Sequence, residues 1–121
     1  MNKAELCGYL ERMDRALAQP TTLTVYDSAA CILLDEPERT SLDVDVAGPY
    51  SAADLADLQR AAQAAGLPVN PPPDYQGDHL EWILAPRLCL PKPTAESAVE
   101  LWRGRRLTVR TVAIPALVAS K

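Results

Sequence analysis

The chain has 121 residues, 48% of them apolar and 23% charged, with a formal net charge of −4. That length suits one domain, residues 1–121, with one core, and the ordinary globular composition argues against disorder. The acidic balance argues against unspecific nucleic-acid binding, and no apolar run approaches the ~20 residues of a membrane span, so a soluble cytoplasmic protein is expected. Cys7, Cys31 and Cys89 are odd in number and widely spaced, which suggests neither a disulfide framework nor a zinc site.

Leu6, Leu10, Met13 and Leu17 form one apolar stripe, so a helix is predicted from Lys3 to Ala18, stopped by Pro20. "TTLTVY" is rich in β-branched residues and reads as a first strand. "SAACILL" suits a short buried helix starting near Ser28 and ended by Pro37. "SLDVDVAG" alternates Leu42, Val44 and Val46 with Asp43 and Asp45, the period of a strand with one buried and one polar face.

Ser51 is the predicted cap of the next helix, with Asp54 at its third position. Leu55, Leu58, Ala61, Ala62 and Ala65 supply its apolar face, and Gly66 and Pro68 end it. "LPVNPPPDYQGD" is a proline-rich loop. Two short strands follow, "HLEWIL" and "RLCL", separated by a turn at Ala85-Pro86. Thr94 to Trp102 reads as a helix closed by Gly104, "RLTVRTVAI" as a strand and "PALVASK" as the start of a last helix. The expected class is α/β (α+β): a small mixed sheet flanked by helices. The end at Lys121 leaves that last helix only about seven residues, too short to be stable unless docked.

Asp43 and Asp45 project from the same strand face, roughly 7 Å apart along the strand. Two carboxylates so placed can hold one or two Mg²⁺ ions, which prefer hard oxygen ligands and leave positions for phosphate oxygens. The same pair also suits an ordinary solvated strand face. Arg103, Arg105, Arg106 and Arg110 form the one dense basic stretch. If "RLTVRTV" is a strand, Arg106, Thr108 and Arg110 share a face that either contacts phosphates or is simply solvated. His79 reads as structural, and Trp82 and Trp102 as core or core-edge residues.

A strand, a turn opening a short helix, and then a strand of hydrophobic-Asp-hydrophobic-Asp type together resemble the nucleotidyltransferase fold. The nearest likeness is to the minimal and abortive-infection-type nucleotidyltransferases of bacterial toxin–antitoxin systems, from about residue 20 onward. The resemblance implies that Asp43 and Asp45 bind magnesium and that Ser28 contacts a nucleotide phosphate. Glu81, in "LEW", would be the third acid, with Asp78 as a competitor for that role. It also implies transfer of a nucleoside monophosphate from a nucleoside triphosphate to a hydroxyl of tRNA or protein; the helical C-terminal extension is expected to be absent.

The family carries glycine where this sequence has Asp27, because backbone must approach the triphosphate closely. Asp27 adds a negative charge there. It either joins the metal site or caps the short helix, and the cap is favoured. A rival expectation from a different class is a non-catalytic relative, an antitoxin-like interaction module or a dimer-forming protein.

Overall fold

A computed structural model describes residues 1–26, 32–33, 43–84 and 98–112. The elements are α1 (Lys3–Ala16), β1 (Thr21–Tyr26), β2 (Asp43–Ala47), a 3-10 turn (Gly48–Tyr50), α2 (Leu55–Ala65), β3 (His79–Ile83), β4 (Ala98–Arg103) and β5 (Leu107–Val112). Five strands form one mixed sheet in the order β3-β2-β1-β5-β4. The β1–β5 and β2–β3 pairs are parallel, whereas β1–β2 and β4–β5 are antiparallel. This bears out the α/β class. Among the described residues no helix is long and apolar enough to cross a membrane.

Helix α1 forms where the apolar stripe predicts it. Asn2 and Glu5 complete a reciprocal capping box at its start, and Leu6, Leu10 and Met13 are buried. These side chains share one core with Leu58, Ala61 and Ala62 of α2 and with Leu23, Val25, Val44, Val46, Leu80, Leu107 and Val109 of the sheet. Strand register explains why those sheet residues share a face: Val25 lies opposite Val46, Val44 opposite Leu80, and Leu23 opposite Val109. The alternate residues must point the other way. That second face carries Thr24, Tyr26, Asp43, Asp45, His79, Glu81 and Arg110.

Two elements differ from expectation. The cap of α2 is Asp54, whose side chain accepts from the Asp57 N–H, and the helix starts at Leu55. Ser51 is drawn off by tertiary structure. Its hydroxyl donates to the Ala47 carbonyl at 2.8 Å and accepts from the Thr24 N–H at 2.9 Å, tying β1 to the end of β2. At the far end of α2, Gly66 takes the left-handed conformation, φ +88°, as expected for the closing glycine.

The larger correction concerns Thr94 to Trp102. Ala98–Arg103 is the strand β4, paired antiparallel with β5 and shifted in register between Glu100 and Trp102. Gly104 belongs to the hairpin turn, where its N–H donates to the Leu107 carbonyl, rather than to a helix end. The expected strand "RLCL", the helix "PALVASK" and most of "SAACILL" lie outside the described residues. Of the last segment, Ile32 and Leu33 are helical and buried.

Asp14 of α1 fixes the β4–β5 turn. Its carboxylate accepts the backbone N–H groups of Arg105 (3.0 Å), Arg106 (2.7 Å) and Leu107 (2.8 Å). Burial alone would raise its pKa, but these three donors and the Arg106 charge hold it below the usual carboxylate value. A Cβ at Gly104 would meet the Asp14 carboxylate at 2.4 Å, so the turn needs glycine there.

Replacing Asp14 with Ala leaves three backbone donors without their anionic acceptor and is expected to cost about 2–4 kcal/mol at neutral pH. Because the folded pKa is depressed, this stability is present above about pH 4 and is lost as pH falls through the folded value. Urea titrations of wild type and Asp14→Ala at pH 7 and pH 3 check it. The gap between the two proteins should narrow in acid.

Candidate functional site

Parallel pairing sets Asp45 opposite Glu81 and Asp43 opposite His79. All four residues therefore occupy the second sheet face, at the end of the sheet where β1 finishes. Asp43, Asp45 and Glu81 are half-buried, and each offers one carboxylate oxygen within 4.8 Å of the other two. The aspartates are roughly 7 Å apart along the strand by backbone spacing, so their side chains lean together. The competing acid, Asp78, is engaged elsewhere. It accepts from the Tyr9 hydroxyl at 2.7 Å and pairs with the amino terminus at 3.4 Å. Its hydrogen bond pushes the Tyr9 pKa up to about 12.

The donor set suits a hard divalent ion. With Mg–O bonds of about 2.1 Å, neighbouring ligand oxygens lie about 3 Å apart and opposite ones about 4.2 Å apart. The three carboxylate oxygens, within 4.8 Å of one another, come close to that range. The donor chemistry of these residues fits a hard divalent cation such as magnesium.

His79 was expected to be structural, but it sits inside this arrangement. One ring nitrogen, Nδ1, lies 3.0 Å from the Gly77 carbonyl, which can only accept, so Nδ1 carries a proton. The other, Nε2, lies 3.3 Å from Glu81 Oε1, so a second proton there is shared with the carboxylate. Burial lowers the imidazole pKa, yet the Gly77 carbonyl, Glu81 and the nearby Asp43 charge together raise it above the ordinary value. The signal was present in the sequence: His79 and Glu81 stand two apart on a strand and must share a face. Tyr26 was also not singled out, although it lies opposite Asp45.

Beside Glu81 the proline-rich loop folds against β3 and encloses a cleft of about 380 Å³. Pro71 to Pro73 and Tyr75 form one wall, and His79, Glu81 and Ile83 form the other. The loop is held to β3 by backbone bonds from Asn70 to Leu80 and from Leu80 to Pro68. Asn70, at φ +46°, also accepts the Trp82 N–H on its side chain. Tyr75 meets the His79 ring edge-on at 6.0 Å between centroids.

The expected phosphate contacts, Asp27 and Ser28, lie outside the described residues. The basic stretch is divided by the fold. Arg110 is on the second sheet face, donating to Thr24 Oγ1 and to the Tyr50 carbonyl, both at 3.0 Å. Arg106 does not share that face as the strand pattern predicted, because β5 begins at Leu107 and Arg106 lies in the turn before it.

A raised His79 pKa has a definite sign. Its stabilising contribution is complete below about pH 6.5, the unfolded value, and disappears as pH rises through the folded value. Proton NMR of the one histidine should give a titration midpoint above 6.5 that falls in Glu81→Gln. An unchanged midpoint in that variant would show that the carboxylate does not hold the imidazolium.

Comparison of the chain with protein-family models, with curated proteins and with solved structures found no match. Any functional reading therefore rests on these residues and their geometry.

Proposed function

We propose that this chain is a nucleotidyltransferase core, in which Asp43 and Asp45 hold Mg²⁺ with Glu81 beside them, and a nucleoside monophosphate passes from a nucleoside triphosphate to a hydroxyl of tRNA or protein. The observation that carries the reading is the convergence of three carboxylates from two adjacent parallel strands, on the sheet face opposite the helix-packed core. A cation held there supplies a Lewis acid for the phosphoryl oxygens.

The side chains have separable roles. Asp43 and Asp45 present two anionic oxygens from one rigid strand, which keeps the donors preorganised. Glu81, on the neighbouring strand and at the mouth of the cleft, orients the acceptor hydroxyl. As the acceptor oxygen bonds to the α-phosphorus, the bond to the bridging oxygen breaks and pyrophosphate leaves with its electron pair. The hydroxyl proton passes to a Glu81 oxygen. His79 keeps the Glu81 carboxylate in place through its shared proton.

Thermal unfolding with each of the four nucleoside triphosphates, in magnesium and in EDTA, tests the reading. At a hundred times the dissociation constant, binding adds about 2.7 kcal/mol of stability, a rise of several degrees for a domain of this size. At least one triphosphate should produce it in magnesium alone, and Asp43→Asn or Asp45→Asn should abolish it. In a transfer assay, either variant should slow the reaction at least about a hundredfold, or about 2.7 kcal/mol. No stabilisation by any triphosphate would leave the chain as a non-catalytic interaction module.

A further inference from the structure

The arginines of the described residues fall into two groups. Arg12 donates to the Ala65 carbonyl and stacks over Tyr9, and Arg60 pairs with Asp57 and the Ala16 carbonyl. Arg103 pairs with Glu100, and Arg110 binds Thr24 and Tyr50. By contrast, the side chains of Arg15, Arg105 and Arg106 have no hydrogen bond or ion pair among the described residues.

Among the described residues, these three and Asp14 line one concavity of about 480 Å³. Asp14 does not neutralise them through contact, because its oxygens are taken by the backbone N–H groups of 105 to 107. Three arginines therefore share the concavity with one committed carboxylate, a local positive excess in a chain of net charge −4. The backbone beneath Arg105 and Arg106 is pinned by Asp14 and by the Gly104–Leu107 bond at 2.7 Å. Less backbone ordering then remains for a ligand to impose.

We propose that this concavity is a phosphate-binding site, with Arg15, Arg105 and Arg106 closing on the phosphate groups of an RNA strand or a free nucleotide. Guanidinium forks match phosphate oxygens in pairs, and several converging on one hollow favour a multiply charged anion. Among the described residues the lining offers no apolar side chain to anchor a peptide or a lipid tail. The site is separate from the carboxylates. Leu107 pairs with Thr21 at the start of β1, whereas Asp45 pairs with Tyr26 at its end, a separation of about 17 Å along the strand.

The test uses the full chain in EDTA, so that the carboxylate cluster holds no metal. Fluorescence anisotropy with a labelled single-stranded RNA 12-mer and calorimetry with pyrophosphate separate the two sources of phosphate. The triple variant Arg15→Gln/Arg105→Gln/Arg106→Gln should weaken binding at least tenfold at low salt. It should also reduce the slope of log affinity against log salt by about 2, or about 0.7 per arginine. Asp43→Asn should bind as wild type does, which keeps this result independent of the catalytic reading. Unfolding curves check that the exposed substitutions leave the fold intact, and Arg→Lys versions should recover only part of the affinity. RNA binding alone identifies a strand, and pyrophosphate binding with the same sensitivity identifies a nucleotide. Binding of neither ligand, undiminished binding by the triple variant, or equal binding of polyglutamate overturns the proposal.

Discussion

The parallel pairing of β2 with β3 is the constraint on which the second sheet face depends. Side chains alternate along a strand, so the register that sends Val44, Val46 and Leu80 into the core also sends Asp43, Asp45 and Glu81 out together. A slip of one residue would bury the acids and expose the aliphatics, and burial of the aliphatics forbids it. The outer edge of β3 is secured as well. Pro68 and Asn70 take its backbone groups, and Asp78 anchors its approach to Tyr9 and the amino terminus. The loop thus blunts an edge strand that would otherwise offer open hydrogen-bonding groups.

Charge is separated along the sheet. Carboxylates gather where β1 ends, and arginines whose side chains have no hydrogen bond or ion pair among the described residues gather where it begins. Glu81 and Asp43 raise the His79 pKa beside them, and the arginines line a concavity with a carboxylate already committed to backbone. A net charge of −4 conceals both. Clusters of like charge persist because packing elsewhere fixes their backbone, and each then favours a counterion of opposite sign.

Where the sequence pattern was followed by local structure, it was because one physical effect dominated. The stripe of α1, the β-branched run of β1 and the alternation of β2 each repeat one period over enough residues to outweigh competing signals. Ser51 and Asp54 are both good caps, and the choice between them lay in the Thr24 N–H across the sheet, which claims the serine. The segment "AVELWR" contains residues suited to helix, yet β5 offers it a ladder of hydrogen bonds and burial for Leu101 and Trp102, so pairing overrode propensity.

The sequence by itself determined the class of fold, the faces of α1 and β2, and the common side of Asp43 and Asp45, because helix and strand periodicities are local properties of the chain. It left Glu81 and Asp78 as rivals, gave His79 only a structural role and put Arg106 in line with Arg110. Tertiary structure decided these points. Tyr9 and the amino terminus took Asp78, the β2–β3 register delivered Glu81 with His79 to the aspartates, and Asp14 turned the chain before β5 could include Arg106. Each outcome depends on a partner far away in the chain, and no local period carries that information.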